Sequence, residues 1–278
     1  MSILISAGDL AARVHDRQGR VVLLDVRWRL GGPPGLDEYR HGHIPGAVYV
    51  DLETELADPA QPSLGRHPLP SPARLRSAVR RWGVRRGDTV VAYDDSGNLA
   101  SARAWWLLRW AGVDDVLLLD GGLGAWVDAG LGLAVGDETT EPGDVEIAPG
   151  RLPTLDLDEV AAFASSGVLL DARAVERYRG EVEPVDPRAG HIPGALSAPT
   201  TANLDSTGRF RPAGELRQRF VQLGVDAQRP TAVYCGSGVT AAHEIAALAI
   251  AGFDAVLFPG SWSQWSNADG ARVATGSA

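Results

Sequence analysis

Cysteine is nearly absent from this sequence: Cys235 is the only one in 278 residues. That excludes an intramolecular disulfide framework and any centre held by several thiolates, such as an iron–sulfur cluster. Any cysteine chemistry runs through this one residue. The six histidines show no His-x-x-x-His or HExxH spacing, so no metal is expected. Positive charge is in deficit, with a net charge of -9, and the acidic residues are scattered rather than gathered into a tail. Such a balance speaks against a nucleic-acid footprint and against a polybasic membrane anchor. No stretch reaches the roughly 18 consecutive apolar residues of a membrane-spanning helix. Residues 1–18 carry Asp9 inside an amphipathic pattern, where a signal peptide would have a basic flank. The expected location is therefore the cytoplasm.

With 45% hydrophobic residues and a mean hydropathy near zero, the chain has the material for two ordinary globular domains. It also repeats itself once. Val22-Leu23-Leu24-Asp25-Val26-Arg27 is echoed by Val168-Leu169-Leu170-Asp171-Ala172-Arg173, and Gly42-His43-Ile44-Pro45-Gly46-Ala47 returns unchanged as Gly190-His191-Ile192-Pro193-Gly194-Ala195. Thr89-Val90-Val91-Ala92-Tyr93-Asp94 answers Thr231-Ala232-Val233-Tyr234-Cys235, and residues 121–126 answer 260–265. Residues 136–153 are rich in Gly, Pro, Thr and acidic residues without apolar period, the composition of an exposed linker. The expected organisation is a first domain over 1–138, a linker over 139–153 and a second domain over 154–278.

Within each half, short β-branched runs (21–26, 89–93, 116–119; then 168–170, 231–234, 255–258) alternate with helical segments (71–82, 99–111; then 212–223, 239–251). This alternation predicts an α/β fold, twice over, each copy a parallel sheet with helices on both faces. Ligands of such sheets sit outside the carboxyl ends of strands, in loops leading to helix N-termini. Two loops hold that place, and only Tyr234-Cys235-Gly236-Ser237-Gly238-Val239-Thr240-Ala241 contains a nucleophile. Its small, glycine-rich course lets successive N–H groups point inward ahead of a helix. Inward amides and the positive end of a helix stabilise thiolate over thiol, so Cys235 is expected to be reactive at neutral pH. A buried, inert cysteine is the alternative, but it leaves the glycine-rich cradle without purpose. The Gly-His-Ile-Pro-Gly-Ala motif is explained as a turn that sets how a loop enters the next strand, with His191 a structural hydrogen-bonding residue. Trp262 and Trp265 read as core or interface aromatics.

The residues resemble the rhodanese-like sulfurtransferases over both halves. Tyr39-x3-His43-Ile44-Pro45-Gly46-Ala47 is similar to the N-terminal signature of that family, and Phe258-Pro259-Gly260-Ser261-Trp262-Ser263-Gln264-Trp265 to its C-terminal one. Tandem members pair an inactive first domain with an active second one, which fits Asp94 against Cys235. The loop Cys235-Gly236-Ser237-Gly238-Val239-Thr240 resembles 3-mercaptopyruvate sulfurtransferases, whereas thiosulfate sulfurtransferases usually carry basic residues after the cysteine. The resemblance implies two tandem rhodanese-like domains. It also implies a Cys235 persulfide without further cofactor, loop amides from Gly236 to Ala241 around the transferred sulfur, and Arg177 and Arg188 on the carboxylate and ketone of a small anionic donor. It further implies that Ser237 and His43 handle the proton released with pyruvate, with Asp37 as a loosely aligned acidic partner. The acceptor would be a thiol, a thioredoxin or a low-molecular-weight one, or cyanide; no nucleic acid or membrane takes part, and the protein is expected as a monomer.

Three rival readings remain open at this stage. Thiosulfate is the alternative donor, since loop sequence tunes specificity without forbidding it. A sulfur-carrier or interaction module uses the fold without turnover. A cysteine phosphatase shares the fold, but carries an arginine where this loop has Ala241, so phosphate oxygens would lack their fork.

Overall fold

A computed structural model describes residues 2–16 and 19–277. Met1, Arg17 and Gln18, which belong to the amphipathic opening stretch, and Ala278 lie outside the described residues. The chain divides into two compact units that are not simply its two halves. The first holds Met1–Asp58, Pro70–Arg151 and Ser206–Phe210; the second holds Pro59–Leu69, Leu152–Asp205 and Arg211–Ala278.

The first unit is built on a five-stranded sheet of β1 (Leu4–Ile5), β2 (Val21–Asp25), β3 (Val48–Tyr49), β4 (Thr89–Tyr93) and β5 (Val116–Leu119) in the order β1-β5-β4-β2-β3. All pairings are parallel. The second unit repeats its centre with β6 (Val168–Asp171), β7 (Leu196–Ser197), β8 (Thr231–Tyr234) and β9 (Val256–Leu257), also parallel, in the order β7-β6-β8-β9. The strands VLLD and TAVY are buried at every position, as parallel strands covered on both faces must be. The helices expected over 71–82, 99–111, 212–223 and 239–251 appear as Pro72–Arg81, Ser101–Trp110, Ala213–Gln222 and Thr240–Ile250.

The repeated motifs prove to be one structural device built twice. Asp25 and Asp171 end their strands fully buried, each in an ion pair with the arginine two residues on, Arg27 at 2.8 Å and Arg173 at 2.6 Å. Those arginines reach forward to the carbonyls of Gly42 and Gly190. There the histidines stack on tyrosines, His43 on Tyr39 with centroids 4.0 Å apart and His191 on Tyr178 at 3.8 Å. Each Nδ1 hydrogen-bonds the same tyrosine's carbonyl, at 2.9 and 2.7 Å. The tyrosine hydroxyls donate to Ala47 and Ala195, both at 2.7 Å, which closes the turn into the next strand. In the second core, Trp262 lies under the Arg173 guanidinium at 4.5 Å and donates Nε1–H to the Arg188 carbonyl.

One expectation changes. The stretch read as an exposed linker is fastened to the first unit as far as Arg151: the N–H groups of Gly143, Val145, Ala148 and Arg151 donate to Arg80, Val84, Ala111 and Trp110. Val145 and Ile147 are buried. Composition saw the glycines and prolines but not these two apolar anchors, too few to make a period.

Candidate active site

Strand β8 ends at Tyr234, and the next residue, Cys235, is buried at the turn into the helix Thr240–Ile250. Its own N–H donates to Ser261 Oγ at 3.1 Å, and its carbonyl receives Trp262 N–H at 3.0 Å, so the backbone is held on both sides. Gly238, at φ 80, adopts the left-handed conformation that lets the loop turn back, and its N–H points at Cys235 Sγ at 3.1 Å. Val239 is the residue before the helix, and Thr240 and Ala241 form its first turn. A thiolate here is met by an amide and by the positive end of an 11-residue helix. That helix is almost wholly buried. Its polar members are satisfied within the unit: Glu244 takes Asn203 Nδ2–H at 2.6 Å and Arg219 at 3.1 Å, and His243 Nδ1 pairs with Thr200 Oγ1 at 2.6 Å. Burial pushes the Glu244 carboxyl above its ordinary range, against the pull of Arg219.

The corresponding loop of the first unit shows what such a cradle accepts. Asp94 takes the place of Cys235, and its fully buried carboxylate receives the N–H groups of Ser96, Asn98, Ala100 and Ser101 at 2.8 to 2.9 Å. The first unit thus fills its anion site with its own side chain. The two loops differ in detail: Asn98 is left-handed at φ 68, whereas Val239 has φ -79 and its helix begins two positions earlier relative to the strand.

Sequence-predicted residues are distributed unevenly around Cys235. Ser237 is buried on the loop after Cys235, with its Oγ 2.7 Å from Nδ1 of His67. His43 belongs to the first unit, stacked on Tyr39 in the device it shares with His191, so the histidine hydrogen-bonded to Ser237 is His67 and not His43. Asp37 likewise belongs to the first unit, on the short helix Gly35–His41. Arg177 is half-free: Nη2 and Nε bind Glu183 at 2.6 and 3.3 Å, Nη2 also meets Asp186 at 3.3 Å, and Nη1 has no hydrogen bond among the described residues. Arg188 is differently employed. Four of its N–H groups donate to the carbonyls of Ser266, Ala271, Trp265 and Ala268, at 2.6 to 3.2 Å, so it braces residues 265–271 and has little left for a ligand. Among the described residues, no group of three or more His, Cys, Asp or Glu side chains is placed to hold a metal ion, and no helix is long and apolar enough to cross a membrane.

His67 reaches the site because Pro59–Leu69 belongs to the second unit. A signal for it existed: Gly65-Arg66-His67 is echoed by Gly208-Arg209-Phe210, a triplet that belongs to the first unit. The first unit has phenylalanine where the second has histidine.

Comparison with known proteins supplies the family. The rhodanese-like domain model matches twice, over residues 6–129 and 156–268, and the chain belongs to that family. It is 37% identical over 270 residues to the 3-mercaptopyruvate sulfurtransferase of Escherichia coli K12, covering 94% of each chain. At 47% identity and 98% or more of each chain it resembles two further proteins. One, from Pseudomonas aeruginosa, carries the provisional name 3-mercaptopyruvate sulfurtransferase; the other, SseB of Mycobacterium tuberculosis, carries the provisional name thiosulfate sulfurtransferase. Among solved structures, SseA of Escherichia coli, a 3-mercaptopyruvate sulfurtransferase, matches with a TM-score of 0.84 and 34% identity over 95% of this chain and all of that one. Its curated relatives are sulfurtransferases, and the single Cys235 fits the persulfide chemistry of the family.

Proposed function

We propose that this protein moves sulfane sulfur from 3-mercaptopyruvate to a thiol acceptor through a persulfide on Cys235. The observation that carries the reading is Cys235 Sγ under the Gly238 amide at the head of a buried helix, with the Ser237–His67 pair on the same loop. The Cys235 thiolate attacks the donor's sulfur; the carbon–sulfur bond breaks with its electron pair passing to the pyruvate enolate, and the outer sulfur stays on Cys235. Ser237, hydrogen-bonded to His67, hands its hydroxyl proton to the enolate, giving pyruvate, and is reprotonated through His67 by the proton that the donor thiol brought in. An acceptor thiolate then attacks the outer sulfur and leaves with it, restoring the Cys235 thiolate. The loop amides hold the negative sulfur in both steps, and Arg177 offers its free Nη1 to the donor's carboxylate. The cycle balances without a cofactor.

Mercaptopyruvate is favoured as donor because Gly236 and Ser237 supply no cation next to Cys235 and because the solved structure of SseA, which matches along its whole length, is that of a 3-mercaptopyruvate enzyme. The acceptor we favour is a thioredoxin or a low-molecular-weight thiol. A reducing cytoplasm, where such a lone thiol stays unpaired, is the matching compartment. One chain suffices for the cycle, without nucleic acid or membrane. Initial rates with 3-mercaptopyruvate and with thiosulfate, cyanide as acceptor, on the wild type and Cys235→Ser, test this. A preference for 3-mercaptopyruvate that vanishes in Cys235→Ser is expected; a thiosulfate preference would keep the nucleophile and replace the donor, and no turnover with either would leave a carrier.

A further inference from the structure

Beside Cys235, the residue Gly236 has no side chain, and two guanidinium groups close over the space this leaves. A Cβ placed on Gly236 would lie 3.4 Å from Arg177 Nη1 and 3.4 Å from Arg66 Nη2. Among the described residues, no acceptor meets either of these two nitrogens. Arg177 uses Nε and Nη2 on Glu183 and Asp186, and Arg66 uses Nη1 on Asp186 at 2.9 Å. Arg66 Nε is buried with no hydrogen-bond partner. Asp186, whose side chain is only 3% exposed, takes one guanidinium on each carboxylate oxygen, Arg66 on Oδ1 and Arg177 on Oδ2, and so fixes their spacing. The Arg66 backbone is fixed as well, its N–H donating to Ser263 Oγ at 3.0 Å.

We infer that Arg66 is the second arginine of the donor-binding clamp and acts with Arg177 on the anionic end of the sulfur donor across Gly236, in the place that Arg188 cannot fill. This rests on the sulfurtransferase reading and sharpens it. Glu183 and Asp186 already balance the two cations, so recognition comes from aimed, unpaired N–H groups more than from net charge, and it suits a planar carboxylate or another small oxyanion with two acceptors. A side chain at position 236 would occupy the same space, which gives Gly236 a role apart from backbone freedom.

The test compares Arg66→Gln, Arg66→Lys and Arg188→Gln with the wild type in three measurements: KM and kcat for 3-mercaptopyruvate, thermal melting, and protection of Cys235 from iodoacetamide by pyruvate. Loss of one charge-assisted contact at Arg66 should raise KM and weaken pyruvate protection on the order of ten- to a hundredfold, with melting little changed. Arg188→Gln should lower melting while the folded enzyme keeps its KM. Arg66→Lys keeps the charge without the fork and should fall between; it carries the comparison if Arg66→Gln does not fold. KM and protection within about twofold of wild type in the Arg66 variants would overturn the clamp. If the wild type uses thiosulfate and not 3-mercaptopyruvate, the donor reading fails separately. The clamp is then judged by sulfite protection, weakened in Arg66→Gln if it holds and unchanged if it does not.

Discussion

Asp94→Ala is the sharpest test of the idea that the first unit carries a filled anion cradle. The substitution removes a carboxylate that receives four backbone N–H groups and sits at the head of the helix Ser101–Trp110. Each such charge-assisted bond contributes about 1.5–3 kcal/mol, but the sum overstates the effect. Burial raises the Asp94 carboxyl's pKa in spite of the amides, so the ionised group is itself costly to hold. What remains is the penalty for leaving buried partners unpaired, about 3–5 kcal/mol by analogy with a buried ion pair that loses one member. For a unit of this size that corresponds to a melting shift of roughly 10 °C. Asp94→Asn, whose single carbonyl oxygen serves one side of the cradle, should lose about half as much. Calorimetry and urea unfolding followed by tryptophan fluorescence would measure both, and formate, which replaces the excised carboxylate, should recover part of the loss in Asp94→Ala beyond what chloride does at equal ionic strength. An Asp94→Ala protein within about 1 kcal/mol of wild type would refute the argument, because unpaired buried donors cannot be that cheap.

Two other predictions address proton handling and pH. His67→Gln should lower kcat on the order of a hundredfold with melting nearly kept, whereas His43→Gln should lower melting and leave the folded enzyme's kcat intact; steady-state rates alongside melting curves separate the two histidines. Glu244, whose pKa burial raises above 4.5, binds more protons in the folded than in the unfolded chain, so it lowers stability as pH rises from 4.5 through its folded value. Urea unfolding over that window should show a falling contribution in wild type that is missing in Glu244→Gln.

Strands, helices and the tandem parallel sheets were legible because their signals are local: β-branched runs between turn residues, and a motif repeated intact. The site was legible only where chemistry is local too, at Cys235 and the loop that follows it. The family signature drew attention to His43, yet a histidine present in both copies, stacked on a tyrosine in each, belongs to what the copies share, which is architecture. Chemistry belongs to what they do not share. Asp94 faces Cys235 across the repeat, Phe210 faces His67, and Glu38, before the stacking Tyr39, faces Arg177, before the stacking Tyr178. Each difference puts a thiol, an imidazole or a guanidinium in the second unit where the first has a carboxylate or a phenyl ring. Arg66 and His67 were hidden for a different reason. They lie in the first half of the sequence but in the second compact unit, and a reading that assigns residues to halves cannot bring them to Cys235. The insertion that carries Glu183, Asp186 and Arg188 has no equivalent in the first half. Side-chain type alone therefore could not say which arginine would be braced by carbonyls and which left with free nitrogens. Hydrogen-bond bookkeeping in the folded unit decides it, since an arginine with four carbonyls in hand is architecture, and one with an unpaired nitrogen over Gly236 is positioned to bind.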